Sequence, residues 1–67
     1  METVNIQYEG SFTDTYTTYS RDEYVQLLDI GRKYGYTKGN LIYVKRDNME
    51  KAMDEVHNIL RARIRKF

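Results

Sequence analysis

The feature that most limits how this chain can fold is the helical periodicity of its last third, Asp47 to Phe67. Apolar residues recur there at the spacing of one helix face, at Met49, Ala52, Met53, Val56, Leu60, Ile64 and Phe67. Neither Gly nor Pro interrupts the segment, and Asp47 and Glu50 have the spacing of a capping box. Because a helix gains most of its stability from packing its apolar face, the rest of the chain has to cover this stripe.

The first twenty residues have the pattern of a β-hairpin. Residues 3–8 alternate in polarity, which predicts a half-buried strand. Gly10 lies in a turn signal, and the run from Phe12 to Tyr19 is rich in Thr and Tyr, which favour strands. A three-residue loop gives a register in which three pairs share a face: Tyr8 with Phe12, Ile6 with Asp14, and Val4 with Tyr16. In that register Asp14 is the misfit on an otherwise apolar face.

A first helix is predicted over residues 21–34. Ser20 and Glu23 form a second capping box, and the helical apolar positions are Tyr24, Leu27, Leu28, Gly31 and Tyr34. Gly35 stands where a left-handed C-cap is expected. Residues 36–40 then read as a loop, and residues 41–45 as a strand rich in apolar and β-branched side chains.

These elements predict a single α+β domain over residues 1–67, in the order ββαβα. One three-stranded sheet with both helices on the same face would bury every apolar stripe at once. The chain has no cysteine, so no disulfide or thiolate–metal site can hold it together. A chain this short buries only about 60% of its unfolded surface, which makes self-association a plausible source of additional core.

Catalysis and cofactors find no support in the residue pattern. The only serines are Ser11, in a turn, and Ser20, at a helix cap, and the lone histidine is His57. No set of nucleophile, base and orienting group follows from these residues, and no further soft or imidazole ligands exist for a metal. We therefore expect a protein that is not an enzyme, with no cofactor, no metal and no small-molecule substrate.

The partner class follows from similar exclusions. No apolar run approaches the length of a membrane span, and the start of the chain does not resemble a basic, apolar signal peptide. Together with the absence of cysteine, this favours a cytoplasmic protein that does not bind membranes. The seven tyrosines favour a protein partner, because tyrosine is enriched at the centre of interfaces.

The first hypothesis is therefore a small protein-interaction module, adaptor-like or inhibitor-like, that binds a partner or forms a homodimer. If Ile42 and Val44 face the helices, alternation places the opposite side chains of that strand on the open face of the sheet. We expect a contact surface on this face or its edge, formed by Leu41, Tyr43, Lys45, Tyr16 and Tyr19. The competing explanation is that the tyrosines only fill a small core and leave their hydroxyls in water.

Nucleic acid is the alternative partner. The charged residues among the first thirty are mostly acidic, and those in the remainder of the chain are mostly basic. In the ββαβα order both helices end at the same pole of the domain, which would gather Arg32, Lys33, Tyr36, Lys38, Arg61, Arg65 and Lys66. Such a pole would neutralise phosphates. The competing explanation is that cations stabilise helix C-termini, and the sequence pI of about 8.0 is lower than that of most nucleic-acid-binding domains.

Overall fold

The structure, a computed structural model, describes residues 2–64. Its elements in chain order are strand β1 (Glu2–Tyr8), strand β2 (Thr13–Thr18), helix α1 (Arg21–Tyr34), strand β3 (Gly35–Lys38), strand β4 (Leu41–Val44), a 3₁₀ turn (Arg46–Asn48) and helix α2 (Met49–Ile64). The α+β class is confirmed. The predicted ββαβα order with three strands is wrong, because the segment assigned to a loop forms a fourth strand.

The four strands form one mixed sheet in the order β2-β1-β4-β3. Strands β1 and β4 lie side by side in the middle and run parallel, with Ile6 opposite Ile42. Each central strand pairs on its outer side with its antiparallel hairpin partner, β1 with β2 and β4 with β3. The sheet is therefore two hairpins joined by a parallel seam, and helix α1 connects one hairpin to the other.

Strand β3 was missed because glycines at both of its ends resemble loop residues. Gly39 and Asn40 form the two-residue turn between β3 and β4, with Gly39 at φ +60. A positive φ at this place is what tight hairpin turns require. Between the two glycines, Tyr36 and Lys38 point to one side of the sheet and Thr37 to the other. The alternation is genuine, but it is only four residues long.

The first hairpin follows the predicted register. Val4 pairs with Tyr16 and Ile6 with Asp14. The backbone N–H of Tyr8 donates to the carbonyl of Phe12 at 3.0 Å. Asp14 is half-buried on the helix-covered side, as the register requires, and it accepts a hydrogen bond from the hydroxyl of Tyr16 at 3.1 Å.

Helix α1 has the bounds that its capping pattern predicts. The side chain of Ser20 accepts a hydrogen bond from the backbone N–H of Glu23 at 3.2 Å. The carboxylate of Glu23 accepts in return from the backbone N–H of Tyr19, one residue before the position usual for a capping box. Two backbone donors at the helix start are thereby satisfied.

The hydrophobic core lies between one face of the sheet and both helices. Its fully buried members come from β1 and β4 on one side and from α1 and α2 on the other: Val4, Ile6, Tyr8, Ile42, Val44, Leu27, Ile30, Ala52 and Val56. Helices and aliphatic strand residues thus share one side of the sheet, as predicted. The other side of the sheet carries no helix among the described elements.

Two glycines permit close packing around the end of α1: Gly31 allows the helix to approach the sheet, and Gly35 allows β3 to approach β4. A Cβ at Gly31 would lie 2.5 Å from Thr37 Cγ2 and 2.8 Å from Ile42 Cγ2. A Cβ at Gly35 would collide with the backbone carbonyl oxygen of Tyr43. Gly35 is in extended backbone at φ −179, so the prediction of a left-handed C-cap is wrong, and the residue serves close contact between β3 and β4 instead.

Helix α2 begins at Met49, two residues later than predicted, because Asp47 lies within the 3₁₀ turn. The two helices are antiparallel. The side-chain amide of Asn48, just before α2, donates to the carbonyl of Tyr34 at the end of α1 at 3.2 Å. Lys33 pairs with Glu55 at 3.0 Å. The start of α2 therefore lies beside the end of α1.

Candidate functional site: the open face of the sheet

The candidate site is the side of the sheet that the helices leave uncovered, called here the open face. Alternation along each strand assigns ten strand residues to it: Thr3, Asn5, Gln7, Thr13, Thr15, Thr17, Tyr36, Lys38, Leu41 and Tyr43. On β1 and β2 these residues are threonines and amides. On β3 and β4 they are larger, with two aromatic rings, a leucine and a lysine. The face thus has a polar half and an aromatic half.

The aromatic half is organised by one ring pair. Tyr36 on β3 and Tyr43 on β4 are register partners, and their rings are stacked with centroids 4.9 Å apart and an interplanar angle of 14°. This distance matches the spacing of neighbouring strands, about 4.7–4.9 Å. Tyr36 is 48% exposed even though one side of its ring meets Tyr43. A ring that is held in place by its neighbour and is still half open to solvent is suited to contact a partner.

Lysines lie on both sides of the ring pair along the strands. Lys38 pairs with Leu41, which places it two residues beyond Tyr36 along β3, toward the β3–β4 turn. Lys45 follows the opposite end of β4, and its Nζ lies 5.6 Å from the centroid of Tyr43, within the range of a cation–π contact. Both lysines are exposed. The aromatic half is therefore positively charged at each end.

A single carboxylate borders this half of the face. Glu9 follows β1, and its Oε1 accepts a hydrogen bond from the backbone N–H of Arg46 at 2.9 Å. This bond, more than the nearby cations, lowers the pKa of Glu9. The pKa of Tyr43 is raised by its partial burial and then by the negative charge of Glu9. No strand residue assigned to the open face within the described chain is acidic.

The residues predicted as a protein-binding set are divided by the fold. Leu41, Tyr43 and Lys45 lie on or at the end of the open face, as expected. Tyr16 lies on the other face, where it packs against the core, and burial and Asp14 raise its pKa to about 12. Tyr19 is 62% exposed just beyond the end of β2. Neither Tyr16 nor Tyr19 extends the surface formed around Tyr43.

Among the described residues, the cations of the predicted basic pole are not gathered at one end of the domain. Strand β3 carries the chain away from the end of α1 and β4 brings it back, so α2 starts where α1 stops and the helices end on opposite sides. Arg32 and Lys33 consequently lie at one end and Arg61 toward the other, whereas Lys38 belongs to the open face. Arg65 and Lys66 are outside the described residues.

The cations at the end of α1 already have acidic neighbours. Arg32 pairs with Asp29 at 2.7 Å, and Lys33 pairs with Glu55 of α2 at 3.0 Å. The hydroxyl of Tyr34 donates to the same Glu55 carboxylate. The bond from Tyr34 and then the bond from Lys33 lower the pKa of Glu55, and Glu55 in turn raises the pKa of Lys33. This cluster joins the two helices and leaves little positive charge for a ligand.

Tyr36 is the site residue that sequence reasoning misplaced. The sequence pattern places it in a loop within the basic pole, whereas in the structure its ring stacks on Tyr43 at the centre of the aromatic half of the open face. The available signal was the Gly39-Asn40 dipeptide, which is typical of a two-residue hairpin turn between alternating segments. Accepting that turn would have paired Tyr36 with Tyr43.

No group of three His, Asp or Glu side chains among residues 2–64 could hold a metal ion. The lone histidine, His57, is exposed on α2. No helix in the same range is long and apolar enough to cross a membrane.

Comparison with known proteins assigns no family to the chain. No protein-family model matches it, and neither a search of curated proteins nor a search of solved structures found a significant match. The function is therefore argued from the geometry alone.

Proposed function

We propose that this protein is a non-enzymatic binding module whose contact surface is the open face of its sheet. The observation that carries the proposal is the stacked pair of Tyr36 and Tyr43, which sits on a face that no described element covers. Burying a tyrosine ring is worth more than burying most surface side chains, and tyrosine is common among residues that dominate binding energy. The pair needs no rearrangement to present a ring.

The face is a better candidate than either sheet edge. On edge strand β2, Asp14 points toward the covered side and is half-buried, and an inward-pointing charge on an edge strand discourages pairing with another chain. Edge strand β3 has only four residues and carries Lys38. Short length and an exposed lysine protect an edge in the same way. Strand addition at either edge is thus disfavoured.

Tyrosine is enriched at the centre of protein interfaces, so binding of a second copy of this chain is the first case to test. Self-association is tested by size-exclusion chromatography with light scattering at several protein concentrations. A mass that rises with concentration in the wild type, and that stays monomeric in Tyr43→Ala, would assign the dimer contact to the open face. A concentration-dependent mass that Tyr43→Ala leaves unchanged would place the contact elsewhere.

Partner binding in general is tested by affinity capture from a lysate of the source cells. The double variant Tyr36→Ala/Tyr43→Ala removes the ring pair, and Tyr19→Ala removes an exposed ring just beyond the end of β2 that lies far from Tyr43. We expect the double variant to lose the captured partner and Tyr19→Ala to retain it. Equal retention by both variants, with both folded by circular dichroism, would contradict the proposal. Parallel captures with and without nuclease separate a protein partner from a nucleic acid.

A further inference from the structure

We infer that the occupant of the open face is a single-stranded nucleic acid, bound by stacking of a base on Tyr36 and by contacts of its phosphates with Lys38 and Lys45. This inference rests on the proposed function, because it names the partner of the same face. It replaces the basic pole predicted from sequence with a different surface, built from different elements.

The stacking step follows from the geometry of the ring pair. Tyr43 already has neighbours in Tyr36, at 4.9 Å, and in the ammonium group of Lys45, at 5.6 Å. Tyr36 meets Tyr43 on one side and is 48% exposed. An unpaired base can therefore extend the two-ring stack on the open side of Tyr36, an arrangement that tolerates any base because each has a π-face. A base inside a duplex offers no such free face.

The charge of the aromatic half fits a backbone of phosphates. Lys38 and Lys45 flank the ring pair along the strand direction, so phosphates on either side of a stacked base would each meet one ammonium group. The ten strand residues assigned to the face include no carboxylate. Glu9 at the border of the face is an opposing charge, and its carboxylate already accepts a hydrogen bond from the backbone N–H of Arg46. Replacing it by Gln keeps the acceptor, removes the charge, and should tighten binding.

The polarity of the face favours this occupant over a protein. Lysine is depleted from protein interfaces, whereas here two lysines flank the rings. Four strands of four to seven residues, at about 4.8 Å between strands and 3.3 Å per residue, project to roughly 300–400 Å². A few nucleotides fit this area. The stacked base lies on the β3 side of the ring pair, and nucleotides that continue across the rings toward β1 and β2 would meet Thr, Asn and Gln side chains, which can hydrogen-bond sugars and base edges.

The test is fluorescence anisotropy with labelled 12-nucleotide single strands of RNA and DNA, and with the matching duplex, from low to moderate salt. We expect the single strands to bind more tightly than the duplex. Tyr36→Ala should weaken binding by about 5- to 150-fold, the range for loss of one base–aromatic stack, whereas Tyr36→Phe should stay within about twofold because the ring is kept.

The salt dependence identifies which cations take part. For single strands, log affinity falls with log salt by about 0.7 for each phosphate neutralised. Lys38→Ala and Lys45→Ala should each flatten the slope by about that amount. Arg61→Ala is the matched control, because it removes an exposed cation from α2 on the opposite side of the molecule, and it should leave the slope unchanged. A slope that responds to Arg61 and not to Lys45 would overturn the inference.

Nuclear magnetic resonance on the wild type provides a measurement that does not depend on any variant folding. Shifts induced by the single strand should concentrate at Tyr36, Tyr43 and the β3–β4 strands, and shifts confined to the helices would overturn the inference. Absence of binding to both strand types at about 50 mM salt would do the same. If affinity capture in the presence of nuclease still yields a partner, and Tyr36→Ala/Tyr43→Ala no longer captures it, the open face remains a binding surface and only the nucleic acid is excluded as its partner. If the ring-pair variant retains every partner, both proposals fail.

Discussion

The two faces of this sheet are made by the same four strands and have opposite characters. On the covered face, Val4, Ile6, Ile42 and Val44 are fully buried beneath the helices. On the open face, the alternate positions of the same central strands carry Asn5, Gln7, Leu41 and Tyr43, and none of these is fully buried. The covered face accounts for folding, since each buried aliphatic side chain contributes about 1.5–3 kcal/mol.

This division indicates where substitutions should have little effect on the free energy of unfolding. Side chains on the open face make few contacts that stabilise the fold. The residue types found there can therefore be determined by the requirements of binding. The stacked rings and lysines of the aromatic half are unusual for a surface that has only to stay soluble. Binding and folding can therefore be disrupted separately, and three substitutions test the stability side of that separation.

The largest effect is expected for Ile6→Ala on central strand β1. Ile6 is fully buried between Asp14 and Ile42 in the sheet, and such truncations cost about 2–5 kcal/mol. A core of this size rarely supplies more than about 3–5 kcal/mol in total, so the variant should be marginally stable at best. Urea denaturation followed by circular dichroism measures the loss.

Gln7→Ala is the matched control on the next residue of the same strand. Gln7 is exposed and belongs to the open face, so the free energy of unfolding should change by no more than about 0.5 kcal/mol. Comparable losses from Ile6→Ala and Gln7→Ala would show that the two faces do not differ as described.

An intermediate effect is expected for Gly35→Ala. The new Cβ would meet the carbonyl oxygen of Tyr43, a backbone atom that cannot rotate away, so the start of β3 should move off β4. Overpacking of this kind costs about 1–3 kcal/mol. The nuclear Overhauser contact between the rings of Tyr36 and Tyr43 should weaken at the same time.

Gly39→Ala provides the comparison at the other end of β3. Its Cβ has no heavy atom within 4 Å, and the cost comes only from the positive φ of +60 in the turn. The ring contact should therefore survive in Gly39→Ala. The opposite result, in which Gly39→Ala loses the ring contact and Gly35→Ala keeps it, would contradict the idea that pairing of β3 with β4 at Gly35 positions the two rings.

The smallest effect is expected for Glu55→Gln in the helix layer. Tyr34 and Lys33 lower the pKa of Glu55 in the folded state, so its contribution is present above the unfolded pKa and is lost as pH falls through the folded value. Lys33 is exposed and Glu55 is partly exposed, so solvent screens their interaction and keeps its contribution to stability small. Wild type should therefore lose slightly more stability than Glu55→Gln between neutral pH and about pH 3. Identical acid profiles would show that the cluster contributes nothing.

The first hairpin and α1 could be predicted from sequence because their signals are local. The alternation of β1, the turn at Gly10 and the Ser20 cap each act within a few residues, and the observed register and helix bounds follow them. Strand β3 could not be predicted from alternation in the same way, since three residues between two glycines give too short a pattern. Gly35 is explained only by its contact with Tyr43, which is a property of the folded sheet.

One missed strand changed the predicted site more than the predicted fold. Without β3, α1 and α2 would end at the same pole and their basic residues would gather there. With β3, the helices are antiparallel and Lys33 pairs with Glu55. The same strand brings Tyr36 onto the sheet beside Tyr43. The surface charge of a small α+β protein thus depends on strand count, because each added strand reverses the direction of everything that follows.

The most direct test of the separation between the two faces is to measure stability and binding on one variant, Tyr36→Ala. The account predicts a urea midpoint near that of the wild type, because the ring is half exposed, together with loss of binding to the partner of the open face. A variant that binds as the wild type does, or one that loses as much stability as Ile6→Ala, would contradict it.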